Sequence, residues 1–532
     1  MTIYNIAQTL PDRAAQDPFR PAIIFPAGRD KSGLPRFTQL NFQQLNTLVD
    51  QYARGLHDYG IHQGTRVLLL VRPGVELIGL TFALVKLGAV PVVIDPGMPT
   101  RAFLQCVREA APTAFIGIPI AHVLRLAFRG AFKSVTHPVT VGRRWFWGGP
   151  TLETLRSASP DPFPTTSLEP ESETAVVFTS GSTGTPKGVV YRQGMFHAQL
   201  ALFESEFDIE PGEVDLPGLY IFALFNPALG VTTVFPDMDP TKPAEMDPAT
   251  LVEFIQTFGV TNSFGSPVIW QRVACYCLKH GITLPSIRRI LMAGAPVPPA
   301  LIADCAQIFT HGEVYTPYGA TEALPLTMIS GSEILAETAA RSEQGHGMCV
   351  GRPTPGTTIR IIRITDAPIT EWDESLVLPQ GEVGEVAVRG AVVTREYLNR
   401  PEKTARAKIR QGDAIWHRMG DLGYFDAEGR LWFCGRKDHR IETAKGLVLP
   451  DPCEAIFNLE PRVYRTALVG VGERGAQRPV LVVEPQPKHF PHTAAARKAL
   501  TRALLERGAE HAATRAIREV LYYPRGFPVD VR

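Results

Sequence analysis

The residues best suited to chemistry stand in one run: Thr179, Ser180, Gly181, Ser182, Thr183, Gly184, Thr185, Pro186, Lys187, Gly188 and Val189. Five hydroxyls, three glycines and one lysine share these eleven positions. Glycine lets a backbone bring its N–H groups close to an anion. The hydroxyls add donors, and Lys187 adds a point charge suited to phosphate. The run is therefore expected to hold a polyphosphate. A flexible linker has similar composition, but this run follows the apolar Ala175–Phe178 and ends in Gly188-Val-Val-Tyr191. It is not the P-loop of nucleotide triphosphatases, which needs Gly-Lys followed by Ser or Thr. Here Lys187 follows Pro186 and precedes Gly188.

Elements on either side must position such a loop. Arg66–Val71 reads as a buried strand, Glu76–Leu87 as a helix and Val90–Ile94 as the next strand, a βαβ unit with parallel strands. The alternation continues through strands at Ala114–Ile118, Ala175–Phe178, Val260–Ser263 and Ile287–Met292, with helices at Pro248–Thr257, Ser266–His280 and Ala300–Ile308. The fold class expected is α/β, with a large N-terminal part of doubly wound subdomains. Residues 1–60 read as mostly helical, including Phe42–Tyr59. After about Gly351 the pattern turns to antiparallel strands, a β-rich subdomain at about 352–437. Residues 1–437 then form the large domain and 438–532 a small α+β domain.

At 532 residues the chain exceeds one ordinary core. A formal net charge of +1 argues against an electrostatic grip on nucleic acid or an anionic membrane. The seven cysteines lack zinc or disulfide spacing and read as reduced, buried thiols. No signal peptide is read at the N-terminus, so a cytoplasmic location is expected. From Leu216 to Pro236 no residue is charged, yet Pro217, Pro227 and Gly230 interrupt the stretch. It reads as the wall of an apolar pocket, not as a transmembrane helix.

Beyond the loop stand Tyr318-Gly319-Ala320-Thr321-Glu322, Ala293-Gly294-Ala295-Pro296, Val350-Gly-Arg-Pro353, Gly420-Asp421-Leu422 and Gly435-Arg436-Lys-Asp438. Singly, Glu322 would be a solvated loop acid, Tyr318 a packed aromatic, Asp421 a turn residue and Arg436 a surface charge. In this order, together with the loop, they resemble the adenylate-forming superfamily of acyl-CoA synthetases, peptide-synthetase adenylation domains and luciferases. The resemblance covers nearly the whole chain. It implies ATP and Mg²⁺ as cofactors, with attack of a carboxylate on the α-phosphorus of ATP. It places Glu322 on Mg²⁺, Thr321 at the α-phosphate, and Gly294, Ala295, Pro296 and Tyr318 beside adenine. Gly319 and Ala320 belong with Tyr318 and Thr321 to the nucleotide site, Asp421 to the ribose hydroxyls and Arg436 to the sugar–phosphate region. It also implies that the small C-terminal domain is mobile.

Departures from the family narrow the reaction. No histidine occurs between His197 and His280, where many acyl-CoA synthetases carry one beside the carboxylate. The stretch Leu219–Val231 with Pro236-Asp-Met-Asp-Pro240 resembles instead the olefin β-lactone synthetases, a branch acting in long-chain hydrocarbon biosynthesis. That implies a long-chain 2-alkyl-3-hydroxy acid as substrate and association with other enzymes of that route. Ile441-Glu442-Thr-Ala-Lys-Gly-Leu447 stands where CoA ligases commonly have Ile-Lys, Gly and Arg, and an acid there suits CoA poorly. The alternatives are a long-chain acyl-CoA synthetase or acyl-AMP ligase and, more remotely, an ATP- or acyl-binding partner protein without turnover. No lysine follows Lys498, so the family's terminal lysine is expected beyond Arg532.

Overall fold

A computed structural model describes residues 4–179, 186–239 and 242–528. Ser180–Thr185 of the glycine-rich run lie outside the described residues. Strand Arg66–Leu70 stands between Ala114–Gly117 and Val90–Ile94 in a sheet that continues through Glu173–Thr179 to Lys187–Arg192. All neighbours in this sheet are parallel except the last pair, which is antiparallel. There Thr179 stands opposite Lys187, so the two strands deliver both ends of the glycine-rich run to one sheet edge. The helix Val75–Lys86 crosses between the first two strands, and Gly88, at φ +71°, makes the left-handed turn after it.

A second, larger sheet holds parallel strands Val214–Asp215, Asn262–Gly265, Arg289–Met292 and Glu313–Ala320 at its middle. It contains the rest of the doubly wound pattern, with helices Pro248–Phe258, Pro267–His280 and Pro299–Ile308 between strands. The strands after residue 351 are not a detached layer. Met348–Pro353 pairs with both Ala323–Ser330 and Leu431–Arg436, so the antiparallel strands extend the large sheet. This pairing places Asp421 and Arg436 on the same continuous sheet as Tyr318.

Two expectations need correction. Pro21–Arg29 and Pro35–Asn41 form an antiparallel hairpin where helix was expected. Its first strand also pairs in parallel with Thr232–Val234, a partner more than two hundred residues away that local propensity does not reveal. The helix Phe42–Asp58 that follows is as expected, begun by a capping box between Asn41 and Gln44. Six cysteines are buried free thiols as read, but Cys275 is exposed.

Residues after Arg440 build the hairpin Ile441–Thr443 with Gly446–Val448, then the strands Val463–Val471, Arg478–Pro485 and Glu519–Tyr522. The helix Ala494–Ala509 packs Leu500 and Leu504 into a core of their own with Phe457 and Leu481. Asp366, from the large body, accepts from Arg440 at 2.6 Å and from Arg474 at 2.9 Å. Among the described residues no helix is long and apolar enough to cross a membrane.

Candidate active site

A polar cleft of about 1790 Å³ gathers most of the residues that the sequence singled out, Ser180–Thr185 lying outside the described residues. Lys187, Gly294, Ala295, Pro296 and every residue from Tyr318 to Glu322 line it, together with Asp421 and Arg436. Asp451, Glu454 and Arg474, from beyond residue 440, line the same cleft. Gly294 has φ +90°, a backbone state that a side chain would strain. At Gly319 a Cβ would approach the Ala323 carbonyl to 2.7 Å, so only glycine lets this strand end turn so tightly.

Asp421 is buried, accepting from the Tyr318 hydroxyl at 2.5 Å and from Arg436 Nη1 at 2.7 Å. Burial pushes its carboxyl up, opposed by Arg436 and Tyr318. The Tyr318 hydroxyl is raised well above its ordinary value by burial and by the Asp421 charge. Residues far apart in sequence thus make one charged cluster: Asp421 and Arg436 face each other on paired strands, and Tyr318 meets them from a strand elsewhere in the same sheet.

Glu322 is held twice. Its carbonyl accepts from the Thr394 backbone N–H and from Thr394 Oγ1, both at 2.9 Å, and its Oε1 accepts from the Tyr397 hydroxyl at 2.6 Å. Burial and the Glu322 charge raise Tyr397, keeping that hydroxyl a donor. Two ammonium groups flank the Tyr397 ring: Lys187 Nζ lies 4.7 Å from its centroid and Lys408 Nζ 5.9 Å. Lys408 is 6% exposed and donates to the Thr394 carbonyl and Oγ1. Burial brings its amine down to about 7, with Glu322 opposing and Lys187 adding to the fall. Burial, with Lys408 beside it, keeps the His417 imidazole well below its ordinary value.

The sequence reading missed Tyr397, Thr394 and Lys408. Tyr397 sits in an unremarkable Glu396-Tyr-Leu-Asn399, and Lys408 opens a short strand. Only the burial of Lys408 marks it, because lysine is almost never fully buried unless paired. Glu442 is not among the residues lining the cleft. It accepts from Arg440 Nε at 2.7 Å on its own hairpin, so its charge is already engaged.

An apolar cavity of about 1580 Å³ adjoins the cleft. The uncharged stretch contributes Tyr220, Phe222, Leu224 and Phe225 to its wall, and the helix Pro119–Ala127 contributes Leu124. This is the pocket wall expected of residues 216–236. Phe222 stacks on Phe264 at 3.6 Å between ring centroids. Phe222, Thr321 and Leu324 line both cavities, which therefore meet at the residues next to Glu322. Beside this junction the Tyr191 hydroxyl donates to the Thr321 carbonyl at 2.6 Å.

The chain matches the AMP-binding enzyme family over residues 10–398. It belongs to that family. An olefin β-lactone synthetase of Stenotrophomonas maltophilia is 48% identical, the match covering 99% of this chain and 95% of the relative. One of Xanthomonas campestris pv. campestris is 47% identical, covering 100% and 95%. The solved amide bond synthetase McbA of Marinactinospora thermotolerans shares the fold at 24% identity, with a TM-score of 0.79 over 99% of this chain and 96% of its own. Membership of an AMP-binding family makes this an adenylate-forming enzyme that uses ATP, as the sequence motifs implied.

Proposed function

We propose that this enzyme activates a long-chain 2-alkyl-3-hydroxy acid with ATP and closes the resulting adenylate to a β-lactone. The observation that carries the reading is the meeting of the apolar cavity with the polar cleft at Thr321 and Leu324. At about 1580 Å³ the cavity exceeds the ~300–1,000 Å³ of pockets for drug-sized ligands, which suits an acid branched into two alkyl chains. The names of the relatives at 47–48% identity support the same substrate class.

In the first step a carboxylate oxygen bonds to the α-phosphorus and pyrophosphate leaves with the electrons of its P–O bond. Lys187 and the N–H and hydroxyl groups of Thr179–Thr185 meet the growing phosphate charge. Tyr318, Asp421 and Arg436 hold the nucleoside, with Gly294, Ala295 and Pro296 beside the base. Among the described residues no three-acid cluster exists that could cage a metal. Glu322 presents its carboxylate to the cleft, and one carboxylate beside a phosphate site suits Mg²⁺, which is bound through one or two carboxylates and the substrate's own phosphates. Glu322 would hold it, and the ion would supply charge neutralisation at the phosphates.

In the second step the 3-hydroxyl oxygen bonds to the acyl carbon and AMP leaves with the electrons of the C–O bond. The hydroxyl proton passes to solvent. Tethering makes this attack unimolecular, worth up to ~7–11 kcal/mol in well-oriented cases, of which ring strain consumes part. No external acceptor is needed, so CoA is not required. The test is product analysis with Mg²⁺-ATP in the presence and absence of CoA. A product lighter than the acid by one water, formed without CoA, is expected; an acyl-CoA formed only when CoA is added would overturn the reading.

A further inference from the structure

One surface patch has no part in adenylation. Between Glu109 and Glu153 the chain has no acidic residue, yet it carries Arg125, Arg129, Lys133, Arg143 and Arg144. The net charge of +1 for the whole chain conceals this local excess. Among the described residues none of these five cations is within ion-pair distance of a carboxylate. Large apolar side chains stand exposed in the same stretch: Phe146 at 78%, Ile120 at 63%, Trp145 at 53% and Phe128 at 40%. Apolar groups gathered in water mark an interaction surface.

The fold holds this patch in shape and sets it beside the apolar cavity. Trp147 is buried, donates from Nε1 to Thr140 Oγ1 at 2.9 Å and stacks on His122 at 5.0 Å between ring centroids. Trp145 and Phe146 lie 5.4 and 5.3 Å from the Trp147 ring, and Arg144 Nη1 donates to the Gly149 carbonyl at 2.6 Å. The segment 142–149 is thus pinned by Trp147 while the two aromatics before it face water. His122 belongs to the helix Pro119–Ala127, and Ile120, Val123, Leu124 and Ala127 of that helix line the cavity. One helix therefore joins the patch to the cavity wall. The acids in the cavity lining, Asp95, Asp237 and Asp239, stand elsewhere, on the loops after Val90–Ile94 and Thr232–Val234.

We propose that residues 119–149 dock this enzyme on an anionic phospholipid bilayer. Tryptophan settles at the headgroup level of a bilayer, and unpaired arginine and lysine are drawn to its negative surface. In one respect the inference rests on the proposed function: an acid with two long alkyl chains resides in lipid, so a cavity wall beside the bilayer is where it can enter.

The test is sedimentation of the full chain with vesicles, without ATP or acid. One set holds phosphatidylglycerol mixed with phosphatidylethanolamine, the other phosphatidylcholine alone. The wild type is expected to bind the anionic vesicles about tenfold or more tighter than the neutral ones, with binding that weakens as salt is raised. Arg143→Glu with Arg144→Glu, and separately Trp145→Ser with Phe146→Ser, should each weaken that binding about tenfold or more. Both double variants should keep wild-type pyrophosphate exchange with a short, soluble acid, since none of the four residues lines either cavity. A wild type that stays off anionic vesicles overturns the proposal, whatever other protein it binds and whether or not the variants fold. Folded variants that bind as tightly as the wild type also overturn it. Lactone formation is scored separately: its absence in a vesicle-bound enzyme sinks the proposed function alone, and lactone formed by an enzyme that ignores vesicles sinks only the docking.

Discussion

Tyr397→Phe isolates what holds Glu322. The substitution removes one hydroxyl and keeps the ring on which Lys187 and Lys408 rest. The two bonds from Thr394 to the Glu322 carbonyl stay, so the backbone remains placed. What is lost is a 2.6 Å hydrogen bond to a carboxylate. Bonds to charged groups are worth about 1.5–3 kcal/mol net, and every 1.4 kcal/mol is about tenfold. If Glu322 holds Mg²⁺, the freed carboxylate should bind it about 10–100-fold more weakly. The assay is pyrophosphate exchange at saturating ATP across a series of Mg²⁺ concentrations. The half-saturating Mg²⁺ should rise, and high Mg²⁺ should recover most of the rate. A loss of rate that is equal at every Mg²⁺ concentration, with the half-saturation point unmoved, refutes the link from Tyr397 through Glu322 to the metal.

Lys187→Ala should slow pyrophosphate exchange at least tenfold while the thermal melting temperature stays within a few degrees, because the side chain is only partly buried; a wild-type rate would remove Lys187 from the phosphate site. Thr81→Trp adds bulk to the wall of the apolar cavity. It should shift the preferred acid to shorter chains, read as kcat/KM across a chain-length series, and an unchanged series would disconnect the cavity from the substrate. Lys408 gives a pH signature. Unfolded, a lysine keeps its proton to about 10.4, but buried here it gives the proton up from about 7. The unfolded chain therefore binds more protons across that window, so stability rises with pH there. Glu322 and Lys187 act on this amine, and His417 lies beside it. In Lys408→Met that part of the slope should vanish, as measured by urea unfolding at pH 7 and pH 9; an identical slope would contradict a buried, titrating amine.

How much of this was legible in the sequence follows from how local each signal is. Buried parallel strands such as Arg66–Leu70 announce themselves as short apolar runs, and helices by their period, so the α/β alternation could be read directly. The adenylating motifs were legible because their glycines and hydroxyls answer a local need, a turn or a close backbone approach, as Gly294 and Gly319 do. The hairpin Pro21–Asn41 was not, because its first strand is decided by a neighbour near residue 233. Nor could Glu442 be weighed until Arg440 was found beside it.

By itself, then, the sequence determined a glycine- and hydroxyl-rich run, a motif order and an uncharged apolar stretch. The tertiary structure decided what those parts face. It paired the strands of Asp421 and Arg436 and brought Tyr318 against Asp421, set Tyr397 and Thr394 on Glu322, and buried Lys408 behind them. It also joined the apolar cavity to the cleft at Thr321 and Leu324. The physical reason is that burial and hydrogen-bond pairing are properties of neighbours, and these neighbours lie tens to hundreds of residues apart in the chain.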